Sequence, residues 1–229
     1  MKFAELIKNE IKTYKWNELI VLFLVLAIVT SISFLFKDTK IATINALCGI
    51  LYTFFAGCGK VYCYFIGLSG TFCYCYLAYK QGFWGNFYLY ALYYFPMQII
   101  GIFKWNQHFN KEKNEIFKTK LTKKERIIYL STGIFITLLF YFILKYLGGK
   151  NPFMDSFTTV FSVMGLFLTV KRCIEQWYVW IFVNLASFLM WLFAILNKAN
   201  CVATLLMWGI YLFLAFYFLI KWNNSPLEK

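Results

Sequence analysis

Eight apolar runs set what this chain can fold into. They lie at roughly 16–36, 42–58, 62–79, 86–103, 127–147, 156–170, 177–196 and 202–220, and only one connection between them is long and polar. A helix needs about 20 apolar residues to cross the hydrocarbon core, within a range of about 17–25. The runs at 42–58 and 156–170 are short, so their helices are expected to reach into the flanking loops. None alternates every second residue as a barrel strand would. The expected fold class is therefore an all-α integral membrane protein with about eight transmembrane helices. Composition agrees, with 61% hydrophobic and only 14% charged residues. Soluble domains carry about a quarter charged residues, and a chain this apolar needs lipid as its solvent.

The formal charge is +13. In a soluble domain that excess would suggest nucleic acid. Here the basic residues sit between the apolar runs and at their ends. They are read as topology signals and contacts with the lipid bilayer, with no nucleic-acid partner. Taking the N-terminus as inside, the inside segments hold four basic residues in 1–15, Lys60, eight in 104–126, Lys171 and Arg172, and Lys221 and Lys229. Those seventeen face six outside, at Lys37, Lys40, Lys80, Lys145, Lys150 and Lys198. Both termini are expected in the cytoplasm. Residues 1–15, with Lys2, Lys8, Lys12 and Lys15, read as an amphipathic entry segment. The run that follows is too long for the apolar core of a cleavable signal and reads as the first span.

The polar connection 104–126, containing HFNKEKNEIFKTKLTKKER, divides the chain. A repeat crosses it. Segment four ends in Lys104-Trp105-Asn106 and segment eight in Lys221-Trp222-Asn223, an offset of 117 residues. At that offset Tyr94 falls on Tyr211. Segments two to four then correspond to six to eight, with four spans between equivalents. An even number implies the same membrane orientation, a pseudo-twofold along the membrane normal and a crossover helix between. Parallel repeats of this kind place a substrate path at their interface. The organisation expected is a single transporter domain. It comprises an N-terminal segment and extra span at 1–38, a first three-helix repeat at 40–105, a loop and linker helix at 106–150, and a second repeat at 153–222.

Two polar stripes point to a binding site. In segment seven Trp177, Trp180, Asn184, Ser187 and Trp191 are spaced three, four, three and four, so they share one helix face. Lipid cannot satisfy the Asn184 amide, so the face should turn inward. An interhelical hydrogen bond with an interfacial indole belt is the plainer alternative. In segment four Asn86, Tyr90, Tyr94 and Gln98 follow at four-residue steps, drifting by about 40° each. Pro96 lies inside this stripe and should kink the helix and release a carbonyl. A tyrosine-rich interface helix is the alternative there. The seven cysteines read as small packing residues, and no metal or cofactor is expected. After Glu18 no carboxylate lies well inside a span, and no phosphate loop, zinc helix or nucleophile elbow is present. An enzyme is therefore disfavoured, and the paired stripes disfavour a passive membrane scaffold. Proton- or ion-coupled carriers generally keep ionisable groups at depth.

With YFPMQIIG at 94–101, KRCIEQWYVWIFVN at 171–184, the Trp177–Trp180 pair followed by Asn184, and the spacing of Asn86, Tyr90 and Gln98, residues 40–222 resemble the PnuC family of nicotinamide riboside transporters. That resemblance implies a three-one-three helix core related to the SWEET sugar transporters but differently arranged. It also implies facilitated diffusion of nicotinamide riboside through a bacterial inner membrane, with a cytoplasmic kinase trapping the product. Relatives that carry thiamine or riboflavin are the alternative. A homo-oligomer is compatible with this reading. Trp180, Asn184, Gln98, Trp177, Tyr94, Asn86 and Tyr90 are the expected substrate-binding residues. Indole faces suit a flat pyridinium, at about 0.5–2 kcal/mol each, and the amides suit a carboxamide or ribose hydroxyls.

Overall fold

The computed structural model describes residues 14, 16–37, 39–80, 84–110, 114–148, 151–196, 202–225 and 227. Of the amphipathic segment at 1–15, all but Tyr14 lies outside them. The helices are α1 Trp16–Leu35, α2 Lys40–Gly57, α3 Cys63–Lys80, α4 Trp84–Leu89, α5 Phe95–Gln107, α6 Lys123–Tyr146, α7 Pro152–Val170, α8 Gln176–Leu196 and α9 Val202–Asn223. α4 and α5 are one rod joined by a π-helical turn at Tyr90–Tyr94, so the apolar runs become eight rods. The short run at 156–170 does extend upstream, to Pro152 in the first turn of α7. Among the described residues, five helices are long and apolar enough to span a membrane: α1, α2, α6, α7 and α9, the last over Leu205–Asn223. α3 and the α4–α5 rod are more polar, because glycines, hydroxyls and an amide that pack inward interrupt them.

α2 packs on α3, α7 on α8, α8 on α9 and α3 on α5. Between the groups α2–α5 and α7–α9, α5 meets α7 and α9 meets α2. α6 lies against α7, and α1 against α2 and α9. The buried Glu18 of α1 takes an ion pair from Lys221 at 2.7 Å. Most of the α6 surface is exposed apolar side chain, as lipid contact requires.

Local structure recurs between the groups. α2 and α7 end in the same left-handed turn. Gly59 has φ +70° and Arg172 has φ +61°. In each turn the first N–H past the cap bonds a carbonyl three residues back, and the next bonds one five back. These are Schellman closures, which tie off the last carbonyls of a helix. Glycine adopts that backbone freely. Arg172 adopts it because its guanidinium also donates to the Phe117 carbonyl at 3.0 Å. The KWN tryptophans match too. Trp105 Nε1 donates to the Thr169 carbonyl at the end of α7, and Trp222 Nε1 to the Gly57 carbonyl at the end of α2. Each ring meets an aromatic edge, Tyr64 for Trp105 and Trp177 for Trp222. Gly101 admits the Tyr64 ring and Gly57 the Phe218 ring, since a methyl at either glycine would overlap the ring it faces.

The polar connection is more ordered than its composition suggests. Phe109–Asn110 and Glu115–Ile116 form a two-stranded antiparallel hairpin. The end of the hairpin and the segment after it stitch both turns together. Ile116 N–H bonds the Gly59 carbonyl, and Thr119 N–H bonds the Arg172 carbonyl. Lys118 is almost wholly buried over the Trp222 ring, bonded to Glu115 and Ser225. Burial pulls its ammonium below the ordinary lysine value, and Glu115 opposes that shift. Glu175 accepts from Leu121 N–H and pairs with Arg126 at 2.8 Å, which pins the segment to the starts of α6 and α8.

Candidate functional site: a cavity between the two helix groups

A cavity of about 210 Å³ opens where α2, the π-turn, α7, α8 and α9 converge. α8 contributes Trp177, Trp180, Asn184 and Gln176, and the π-turn contributes Tyr90 and Tyr94. α2 adds Tyr52 and Thr53, α7 adds Ser162 and Thr169, and α9 adds Trp208 and Tyr211. No charged side chain of the described residues lines it.

The α8 stripe faces inward. Trp177 and Asn184 are buried and Trp180 is half-buried. Ser187 is buried further along the helix, and the Trp191 side chain lies outside the described residues. The indoles are held differently. Trp180 Nε1 donates to Thr169 Oγ1 at 3.2 Å. Trp177 stacks on Phe218 with centroids 5.4 Å apart, and its N–H has no partner.

The α4–α5 rod departs from the even stripe expected. Pro96 has no N–H to give the carbonyl four residues back. The chain answers with a wide turn, in which Phe95 N–H reaches the Tyr90 carbonyl five residues back. Single π-turns inside α-helices are found frequently at functional sites. This one brings Tyr90 and Tyr94 almost parallel, with centroids 4.4 Å apart and 7° between the planes. Tyr74 extends the stack against Tyr90 at 4.0 Å. Tyr93 ties the turn to α7 by donating to the Val163 carbonyl at 2.7 Å. Beyond the turn the helix resumes its ordinary pitch, and Gln98 rotates away. Its amide donates to Thr71 Oγ1 at 2.8 Å and its oxygen packs over Gly67. Gln98 is buried but does not line the cavity. The side chain of Asn86 lies outside the described residues.

Among the lining groups not singled out from sequence are Tyr52, Gln176 and Thr169. Tyr52 Oη and Gln176 Oε1 are buried without a hydrogen-bond partner, as is Trp177 Nε1, and all three residues line this cavity. An unpartnered buried polar atom costs about 1–3 kcal/mol. Three such atoms around one cavity leave hydrogen-bonding capacity that a polar, uncharged group could satisfy. Gln176 could have been found from its place beside Trp177. Tyr52 sits on an unpatterned helix and carried no signal.

An α-helical membrane fold with a polar and aromatic cavity between two helix groups defines a multi-pass membrane transporter. The nicotinamide mononucleotide transporter family profile matches residues 39–224, and the chain belongs to that family. Among similar proteins is a nicotinamide riboside transporter PnuC of Neisseria mucosa, 29% identical over 202 residues, covering 86% of this chain and 77% of that protein. Another, from Haemophilus influenzae and with the same description, is 30% identical over 189 residues, covering 82% and 80%. A crystal structure described as the vitamin B3 transporter PnuC superposes with a TM-score of 0.79 at 28% identity, over 92% of each chain. These relatives are all described as transporters.

Proposed function

We propose that this protein carries nicotinamide riboside across a bacterial inner membrane by facilitated diffusion, with a cytoplasmic kinase drawing uptake forward. The cavity is the observation that carries this reading. Its indole and phenol walls suit a flat cationic ring. Its unpartnered Tyr52, Gln176 and Trp177 atoms suit the carboxamide and ribose hydroxyls of an otherwise uncharged solute. The relatives named for that substrate support it.

The two three-helix groups, 40–105 and 153–222, are the units that would move against each other, related by a pseudo-twofold along the membrane normal. The matched turns at Gly59 and Arg172 and the matched bonds of Trp105 and Trp222 support that relation. Both termini are assigned to the cytoplasm. A fluorescent protein that matures only there, fused after residue 229, should fluoresce. A dark fusion at normal expression reverses the assignment.

Transport energetics follow from what lines the path. Pumps take free energy from a second solute through titratable or ion-binding groups at depth, and no charged side chain of the described residues borders this cavity. A cation still feels the membrane potential, at about 2.3 kcal/mol per charge per 100 mV, so the test is run at zero potential. Purified protein in sealed liposomes should equilibrate nicotinamide riboside to equal concentrations on both sides. Imposed proton or sodium gradients should leave that end point unchanged, and accumulation against the gradient would overturn the facilitator reading. In detergent titrations nicotinamide riboside should bind more tightly than thiamine or riboflavin. Tighter thiamine binding would reassign the substrate.

A further inference from the structure

Thr169 stands at a junction of three side-chain hydrogen bonds in the last turn of α7. Its hydroxyl donates to the Gly165 carbonyl at 2.8 Å. The same oxygen lies 3.2 Å from Trp180 Nε1. Its carbonyl accepts the Trp105 indole N–H at 2.9 Å, from α5 in the other helix group. The directions are forced. An indole nitrogen only donates, so the hydroxyl proton must go to Gly165 and the lone pair to Trp180. Thr169 is only 2% exposed, so water is a poor substitute.

Gly165 supplies the second constraint. A Cβ there would lie 2.9 Å from Trp180 Cε2 and 3.0 Å from Cζ2, so the indole rests directly on the α7 backbone. A ring seated on a glycine and held by its N–H has one orientation to present. Free of the bond, the torsion to a planar ring is broad. We propose that Thr169 is a positioning residue, which with the Gly165 seat holds Trp180 at the angle that binds a flat cationic substrate. This rests on the reading of the cavity as the nicotinamide riboside site. Trp105 fastens the same residue to the neighbouring helix group, so the angle of Trp180 depends on how the two groups meet.

Valine keeps the branched shape of threonine and removes the acceptor. Thr169→Val should weaken nicotinamide riboside binding about 3- to 10-fold, the range for one net buried hydrogen bond. Thr169→Ser keeps the hydroxyl and should restore affinity to within about twofold. The decisive comparison is made in a Trp180→Phe background, which lacks the N–H. There Thr169→Val should cause no further loss, because the two changes remove one interaction. A purely structural role would give the same loss in both backgrounds and overturns the proposal, as does wild-type affinity in Thr169→Val. If Thr169→Val does not fold, Gly165→Ala carries the test. It displaces the ring with the hydroxyl intact and should weaken binding, and unchanged affinity there overturns the proposal. Trp180→Ala separates the two levels. Full affinity without the indole would remove the cavity reading itself. Loss in Trp180→Ala with none in Thr169→Val removes only the positioning role.

Discussion

Trp180→Ala is expected to weaken nicotinamide riboside binding by more than tenfold, equivalent to about 1.4 kcal/mol or more. The indole borders the cavity, held at its N–H by Thr169 and on Gly165 beneath it. Its orientation is therefore set before substrate arrives, and little ordering cost falls on binding. A cation over a desolvated indole gains about 2 kcal/mol, and loss of the aromatic contact area adds to that. Calorimetric titration of the purified variant measures the effect. Trp177→Ala should also weaken binding, through loss of an unpartnered N–H as well as of the ring. Unchanged affinity in the Trp180 variant, with a normal melting profile, would refute the stacking model.

Trp222→Ala is expected to carry the largest stability loss, about 3–5 kcal/mol, the range for a buried aromatic truncated to alanine. The ring is fully buried, its N–H bonds the Gly57 carbonyl at 2.7 Å, and its edge meets Trp177 with centroids 5.6 Å apart. Lys118 lies over it at 5.6 Å from the centroid. Removing it leaves a cavity, an unmet carbonyl and a buried ammonium without its ring. It also withdraws the support beneath Trp177, so substrate affinity should fall along with stability. For a chain of this size such a loss corresponds to a drop in melting temperature of roughly 6–20 °C. Trp222→Phe should recover part of the packing and none of the hydrogen bond. An unshifted melting temperature for the alanine variant would show that these contacts contribute little.

Much of the helix framework was legible because lipid leaves a chain few options. Backbone groups in hydrocarbon must pair within their own segment, so run length translates almost directly into helices such as α7 and α9. The α8 stripe was legible for a related reason. One helix of uniform pitch keeps residues three and four apart on one face, and Trp177, Trp180 and Asn184 do share the cavity wall.

Gln98 was misread because the same periodicity was assumed across Pro96. The π-turn changes the pitch locally, stacks Tyr90 on Tyr94 and turns Gln98 toward Thr71. A proline announces that a helix is perturbed but not whether it kinks or widens. That choice depends on neighbours, here the bond from Tyr93 to α7. The order of the connection at 104–126 was likewise not legible in the sequence. Its composition is that of a solvated loop, yet Lys118 is buried and the Ile116 and Thr119 N–H groups bond the Gly59 and Arg172 carbonyls of the two Schellman turns.

Local chemistry therefore decided the spans, the inward face of α8 and the family resemblance, since hydrophobic length and helical spacing act between residues close in the chain. Contacts between distant segments decided the rest. Tyr52 on α2 joins Gln176 on α8 around one cavity only because α2 and α8 both border the space where the two helix groups meet. Thr169 can anchor Trp180 only because Gly165, one turn earlier on α7, leaves room for the ring. Those placements depend on which surfaces meet, and no spacing within a single segment encodes that.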